Sequence, residues 1–202
     1  MPYANSPRLI TPRLVLRRFA PEDLPAMLAI LGDREVNTFL PWFPVNTLEE
    51  ARAFYEERYA AQYRKGASYQ YAICRREEDV PIGYIQLGLE EGHDLGYGLR
   101  RDCQGEGFAT EAGEALLRRA RADGLDYVTA THDVNNPKSG AVMRRLGLTY
   151  RYSYKEQWMP KDIPVVFRPV SYTHLTEATT SASAMTSDHF FKLFIWSTSF
   201  FS

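Results

Sequence analysis

Residues 104–110 read Gln104-Gly105-Glu106-Gly107-Phe108-Ala109-Thr110, a turn with two glycines between two segments of different period. Before it, residues 94–99 read as a strand. After it, Ala109, Ala112, Ala115 and Leu116 share one stripe of a helix over 109–122 that Gly124 closes. A strand, a glycine turn and an immediate helix leave unpaired backbone N–H groups converging at the positive end of the helix dipole, a seat for an anion such as phosphate. The glycines let the backbone approach closely. The ending Gly-Lys-Ser/Thr of a Walker loop is missing, and so is the third glycine of the dinucleotide fingerprint. Alone, the turn is also compatible with no ligand at all.

Working outward, strand and helix signals alternate. Leu14, Val15 and Leu16 open a strand after Thr11-Pro12, and Leu24, Met27, Leu28 and Leu31 fall at helical spacing between Pro21 and Gly32. A second helix starts at Thr47, where Thr47-Leu48-Glu49-Glu50 has capping-box spacing and Ala51, Phe54 and Tyr55 share a face. Between these helices, Pro41-Trp42-Phe43-Pro44 is either a substrate wall or a loop pinned to the core by its rings. Strands over 69–75, 82–89 and 94–99 have short polar separators and are expected to be antiparallel neighbours. Downstream come a strand over 127–132, a short helix over 139–146 ended by Gly147, and strands over 148–158 and 165–167. The expected architecture is a single α/β (α+β) domain: a mixed, mostly antiparallel central sheet flanked by about four helices.

The chain has 202 residues, about the size of one domain. Lys plus Arg total 24 against 25 Asp plus Glu, a balance that argues against a nucleic-acid or anionic-membrane partner. Two cysteines, Cys74 and Cys103, provide neither a disulfide framework nor a four-ligand zinc set, so no metal is expected and a cytoplasmic location fits. No stretch approaches about 20 uninterrupted apolar residues. Residues 171–202 differ from the rest: 13 of 32 are Ser or Thr, Gly and Pro vanish, and the charges are Glu177, Asp188 and Lys192. Removing this tail leaves 23 basic and 23 acidic residues. The expected division is a domain over 1–170 and an atypical tail over 171–202, read first as coding foreign to the domain. A membrane or partner anchor and a disordered native tail are the alternatives.

After the strand over 127–132 come Asn135, Asn136, Pro137, Lys138 and Ser139, then Ala141, Val142 and Leu146 facing inward and the exit Gly147-Leu148. Taken with the glycine turn, this resembles the GNAT N-acetyltransferase superfamily. Gln104, Gly107 and Ala109 match its acetyl-coenzyme A (acetyl-CoA) motif. Asn136 and Ser139 match the Asn, two residues, Ser pattern before its last core helix. Ile10-Thr11-Pro12-Arg13-Leu14-Val15-Leu16-Arg17 and Thr110-Glu111-Ala112 look like the branch that includes the ribosomal-protein N-terminal acetyltransferases. The resemblance covers about residues 9–168.

What the resemblance implies is acetyl transfer from acetyl-CoA to an amine, a peptide N-terminus or a small molecule, by a monomer or homodimer; a module that binds acetyl-CoA without turnover is the alternative. Gln104, Gly105, Gly107, Phe108, Ala109 and Thr110 would hold the pyrophosphate, the backbone of Leu99 to Arg101 would pair with the pantetheine, and Asn136 would orient cofactor or substrate. Ser139 is the candidate proton donor, with helix capping as its plain alternative. Asp94 is the candidate base, ahead of His93 and His132, with a surface carboxylate as its alternative. Glu106 departs from the family's preference for basic residues in this loop and argues for the non-catalytic module. Cys103 beside the loop reads as an incidental thiol rather than a nucleophile. Glu111 reads as a complement to the helix dipole. Arg118, Arg119 and Arg121 either meet a cofactor phosphate or form a solvated face, and Tyr150, Tyr152 and Tyr154 either line an acceptor cleft or close the sheet.

Overall fold

The computed structural model describes residues 4–173; of the expected tail, 174–202 lie outside the described residues. Five antiparallel strands make the first sheet in the order β1 (Leu9–Ile10), β2 (Leu14–Arg17), β3 (Tyr69–Arg75), β4 (Pro81–Leu87), β5 (Leu95–Leu99). In the second, β9 (Ile163–Thr173) is central, with β6 (Tyr127–Asp133) on one edge and β7 (Thr149–Tyr150) and β8 (Tyr154–Trp158) on the other.

The single sheet expected from the sequence is therefore two. They touch at one parallel bridge, Asp94 to Thr129, where the Thr129 N–H donates to the His93 carbonyl at 3.1 Å and the Thr129 hydroxyl to the Gly92 carbonyl at 2.6 Å. Beyond it β5 and β6 diverge. Arg100 N–H bonds the Ile82 carbonyl and Gly88 N–H the Asp94 carbonyl, so the even-numbered residues of β5 face β4. By alternation, the backbone groups of Tyr97 and Leu99 face the gap.

Both sheet faces are covered. Leu14, Leu16, Ile73, Ile85 and Leu95 pack beneath α4 (Phe108–Ala122), joined by Met143 and Leu146 of α5 (Pro137–Arg145) and its exit. On the opposite face, Val15, Ala72, Cys74 and Tyr84 meet α1 (Leu24–Leu31) and α2 (Leu48–Tyr55), which runs through a π-helical turn, Glu56–Ala60, into α3 (Ala61–Arg64). Half of the expected capping box at α2 is present: the Thr47 hydroxyl accepts from Glu50 N–H at 3.1 Å, while the Glu50 carboxylate reaches one residue further back and accepts from Asn46 N–H at 2.7 Å instead of from Thr47.

Several boundaries differ from expectation, among them the helix expected over 139–146, observed as Pro137–Arg145, and the strand expected over 165–167, observed as Ile163–Thr173; two further differences bear on the second sheet. The strand expected over 148–158 is interrupted, because Tyr150 opposes Val170 and Tyr154 opposes Phe167, four residues against three. The excess sits opposite Pro169, whose carbonyl accepts from Arg151 N–H at 3.1 Å and whose nitrogen has no proton for the same edge. The domain boundary expected at 170 falls inside β9, which continues through Thr173 and pairs Ser171 with both Thr129 and Thr149.

Candidate functional site

The divergence of the sheets opens a cleft of about 1640 Å³, larger than the roughly 300–1,000 Å³ of an ordinary single-ligand site and so roomy enough for two reactants. Its floor is β5, where Gly96 and Gly98 have no side chains; the Tyr84 ring lies across Gly98, where a Cβ would come within 2.7–2.9 Å of it.

At one end is the glycine turn. Gly105 and Gly107 adopt φ of +86° and +83°, which L side chains rarely reach. Gly107 is the N-cap of α4, and the first helical bond is Glu111 N–H to the Gly107 carbonyl at 3.0 Å. The N–H groups of Phe108, Ala109 and Thr110 precede that bond and have no intrahelical partner. The Thr110 hydroxyl is buried without a hydrogen bond among the described residues. Added to an open approach, with nothing within 4 Å of a Cβ at Gly105, these donors fit a pyrophosphate. The Phe108 ring itself belongs to the core.

A brace missed in the sequence holds this turn. The Arg13 guanidinium donates to the Glu106 carbonyl at 3.0 Å and to Glu111 at 2.6 Å, and lies 4.5 Å over the Phe108 ring. Glu111 is more than a dipole complement: it also accepts from the Thr11 hydroxyl at 2.6 Å and Arg13 N–H at 3.0 Å. Burial works against its ionisation, but these bonds outweigh it and hold its pKa below the usual range. The Glu106 side chain, the misgiving raised by the sequence, is exposed and not among the cleft walls.

Two expected cofactor contacts are differently engaged. Gln104 Nε2 donates to the Leu99 carbonyl at 3.2 Å, on the open edge of β5. The Arg101 guanidinium grips Asp33 at 2.7–3.0 Å and meets Glu35 at 3.1 Å, so it ties the loop after α1 to the loop before α4 rather than aiming at the seat. An ion pair across 68 residues has no local sequence signal.

Asn136, not Ser139, caps α5: its Oδ1 accepts from Ser139 N–H at 3.2 Å, and Pro137 takes the first helical position. The Asn136-Pro137 pair was the signal for that start. Ser139 sits three residues into the helix, half-buried at the cleft, where its side chain interacts with the Tyr97 phenol. Its carbonyl accepts from the Tyr97 hydroxyl at 2.9 Å. This bond crosses the gap between the sheets, and burial raises the Tyr97 pKa so that the phenol keeps its proton. The Gly-Tyr-Gly spacing of 96–98 hinted at Tyr97, a large ring between two glycines.

Asp94 lies at the sheet junction. Crowding by protein raises its pKa to about 6, although the residue remains open to solvent through the cleft. His93 Nδ1 is 3.2 Å from the Gly88 carbonyl, and His132 Nδ1 is 2.8 Å from that of Asp133. Cys103 is fully buried, and burial pushes its thiol pKa up, which suits the incidental reading. Arg118 lines the cleft; Arg119 is tied to Asp123 at 2.5–2.8 Å. Trp42 is both wall and anchor: it lines the cleft, donates to Asn37 Oδ1 at 3.1 Å and packs on Phe54. Tyr150, Tyr152 and Tyr154 are not among the walls, where Trp158 and Phe167 stand instead. Among the described residues no three His, Cys, Asp or Glu side chains gather as a metal site would require, and no helix is long and apolar enough to cross a membrane.

Comparison with known proteins matches residues 13–149 to the acetyltransferase (GNAT) domain. The chain is 27% identical over 157 residues to the uncharacterized N-acetyltransferase YnaD of Bacillus subtilis (strain 168), covering 76% of this chain and 88% of that one. It is 31% identical over 134 residues to an L-methionine sulfoximine/L-methionine sulfone acetyltransferase of Pseudomonas paraeruginosa (strain DSM 24068 / PA7), covering 62% and 74%. Its fold is shared with RimL, a ribosomal L7/L12 alpha-N-protein acetyltransferase solved with coenzyme A, at a TM-score of 0.73 and 20% identity over 83% of this chain and 98% of that one. The glycine turn, the Asn136-capped helix and most of the cleft between them lie within the matched span, and the chain belongs to the GNAT acetyltransferase family, whose chemistry is acetyl transfer from acetyl-CoA.

Proposed function

We propose that the protein transfers the acetyl group of acetyl-CoA to a primary amine, on a protein N-terminus or a small molecule, by direct attack. The observation that carries this reading is that one cleft is lined by Gly105, Gly107 and Thr110 of the glycine turn, by Ser139 and by Asp94. The N–H groups of Phe108, Ala109 and Thr110, with Gly105 and Gly107 leaving room, hold the pyrophosphate. The pantetheine amides lie along the open edge at Leu99, taking the place of Gln104 on its carbonyl, and Arg101 contributes backbone only. Asn136 fixes the first turn of α5 and with it Ser139.

In the transfer, the amine nitrogen attacks the thioester carbonyl carbon, a C–N bond forms and the C–S bond breaks. Asp94 takes the proton the nitrogen loses; a carboxylate titrating near 6 is close to the working pH, as general-base catalysis favours. Ser139 gives a proton to the departing sulfur, whose thiol pKa of about 8.5 makes unaided expulsion slow but not forbidden. Solvent in the open cleft restores both groups.

Ser139→Ala tests the reading in an assay of coenzyme A release over peptides, polyamines and amino sugars. Turnover is expected to fall by about ten- to a thousandfold with acetyl-CoA affinity within a fewfold, as for an interaction made in the transition state. Because Asn136 already caps α5, the melting temperature should hold. Wild-type turnover in the variant would remove Ser139 as donor. If wild-type protein binds acetyl-CoA but releases none with any amine, the transferase reading fails.

A further inference from the structure

The cleft differs in charge from one end to the other. Between α4 and α5 its walls carry Arg118, Lys138 and Arg145, which suit the phosphates of a cofactor, beside Glu111, which is held by Arg13, and Glu114, 4.0 Å from Arg118. Toward the other end, beyond β5, the charged side chains are Glu35, Asp94, Asp133 and Arg101. Arg101 is committed to Asp33 and Glu35. The other cation bound at this end, Lys161 in the turn between β8 and β9, donates to the Asn37 carbonyl at 2.5 Å and the Thr38 carbonyl at 3.3 Å, and burial lowers its pKa. Arg58 lies over the Trp42 and Phe54 rings at 5.6 and 5.7 Å and is not among the walls. His132 is turned onto Gly140 of α5, where a Cβ would come within 2.8–2.9 Å of its ring. The same cleft is lined by the rings of Trp42, Tyr84, Trp158 and Phe167.

Resting on the transferase reading, we infer that the acceptor is an amine with no carboxylate on the carbon beside it and with an apolar or aromatic group: a peptide N-terminus, an amino-acid amide or a simple arylalkylamine rather than a free amino acid. The carboxylate of a free amino acid is two bonds from the attacking nitrogen. It must enter the acidic end together with that nitrogen, and it meets Asp94 in the ionised form that the reaction requires. Like charges repel, and no uncommitted cation among the cleft walls of this end offsets the repulsion. An acceptor that carries only its ammonium is drawn to the same carboxylates, and the rings cover its apolar part.

The test compares kcat/KM, at saturating acetyl-CoA, for phenylalanine, phenylalaninamide and phenethylamine, and for the corresponding three derivatives of methionine. Phenylalaninamide and phenethylamine are each expected to exceed phenylalanine by tenfold or more. The amine of phenethylamine is no more acidic than that of phenylalanine, so its advantage cannot come from easier deprotonation. Gln86→Arg, which sets a cation on the β4 wall of this end, is expected to narrow the gap by threefold or more. Free amino acids that match their amides and amines overturn the inference and leave the transferase reading standing, as does an unchanged gap in an active Gln86→Arg enzyme. No coenzyme A release from either series, with acetyl-CoA still bound, overturns the inference, and the transferase reading falls with it only if the panel of peptides, polyamines and amino sugars gives none either.

Discussion

Replacing Glu111 with alanine separates a helix-dipole role from the hub that the structure describes. The carboxylate is 15% exposed and accepts three hydrogen bonds, from the Thr11 hydroxyl, Arg13 N–H and the Arg13 guanidinium. The guanidinium is 48% exposed, so solvent screens its share to about 0–1 kcal/mol. Hydrogen bonds to a charged group contribute about 1.5–3 kcal/mol each; the Thr11 bond is part-buried and the Arg13 N–H bond exposed, so the expected loss is about 2 kcal/mol. A dipole complement alone would cost about 0.3–1 kcal/mol. For a domain of this size about 2 kcal/mol lowers the melting temperature by roughly 4–8 °C. Urea titration at pH 7 reads the free energy directly. The pKa of Glu111 is held below its ordinary 4.5, so its contribution is fully present above that value and fades as pH falls through the lower folded value; the gap between wild type and variant should close there. A loss under 1 kcal/mol at pH 7, or a gap that persists in acid, would refute the hub.

Gly107→Asp should abolish the stabilisation that acetyl-CoA gives in a thermal-shift titration, because it adds bulk and negative charge at the seat and places a non-glycine residue at φ +83°; an undiminished shift would sink the pyrophosphate assignment. For Asp94, kcat/KM should fall as pH drops below about 6, and Asp94→Asn should lose that limb along with most turnover. The raised pKa means that the ionised form opposes folding, so wild type gains stability as pH falls through about 6 and the asparagine variant should melt higher at neutral pH; a lower melting point would contradict this. A chain ending at Thr173 should keep its fold and its acetyl-CoA shift. One ending at Val170 should melt lower, having lost the pairs of Ser171 to Thr173 with β6 and the 2.6 Å bond from Arg151 to the Ser171 hydroxyl; equal melting of the two would restore the boundary at 170.

Local signals carried far in this chain. The strand over 69–75 is observed with those limits, and the glycine turn opens α4 as its spacing requires. The helix cap at Thr47 reads correctly because its partners are neighbours in sequence. What escaped depends on distant residues. The brace on the turn joins Arg13 to Glu111, and the Arg101 to Asp33 pair joins two loops that no periodicity relates. The splitting of the sheet follows from where β5 and β6 part, which alternation within either strand does not encode. The break between β7 and β8 is dictated by a proline on a different strand. Asp94 and Ser139 were legible as candidates, but the phenol of Tyr97 on the Ser139 carbonyl emerges only once β5 and α5 face each other.

Pro169 also acts on alignments the chain must avoid. It lies in a strand paired on both sides, where a residue without an N–H is rare. Its nitrogen faces the β7 and β8 edge at the bulge, where no acceptor needs it, whereas Pro164 faces the opposite edge beyond the last β6 contact, Val134 N–H to the Val166 carbonyl. Sliding β9 by two residues in either direction would keep every side chain on its present face, so hydrophobic patterning alone does not forbid the slip. It would, however, carry the Pro169 nitrogen opposite Thr149 or Tyr154, where the ladder requires a donor. The two imino acids thus act as alignment pins, one per edge, and hold Phe167 at its present place along the cleft, which side-chain patterning alone would not.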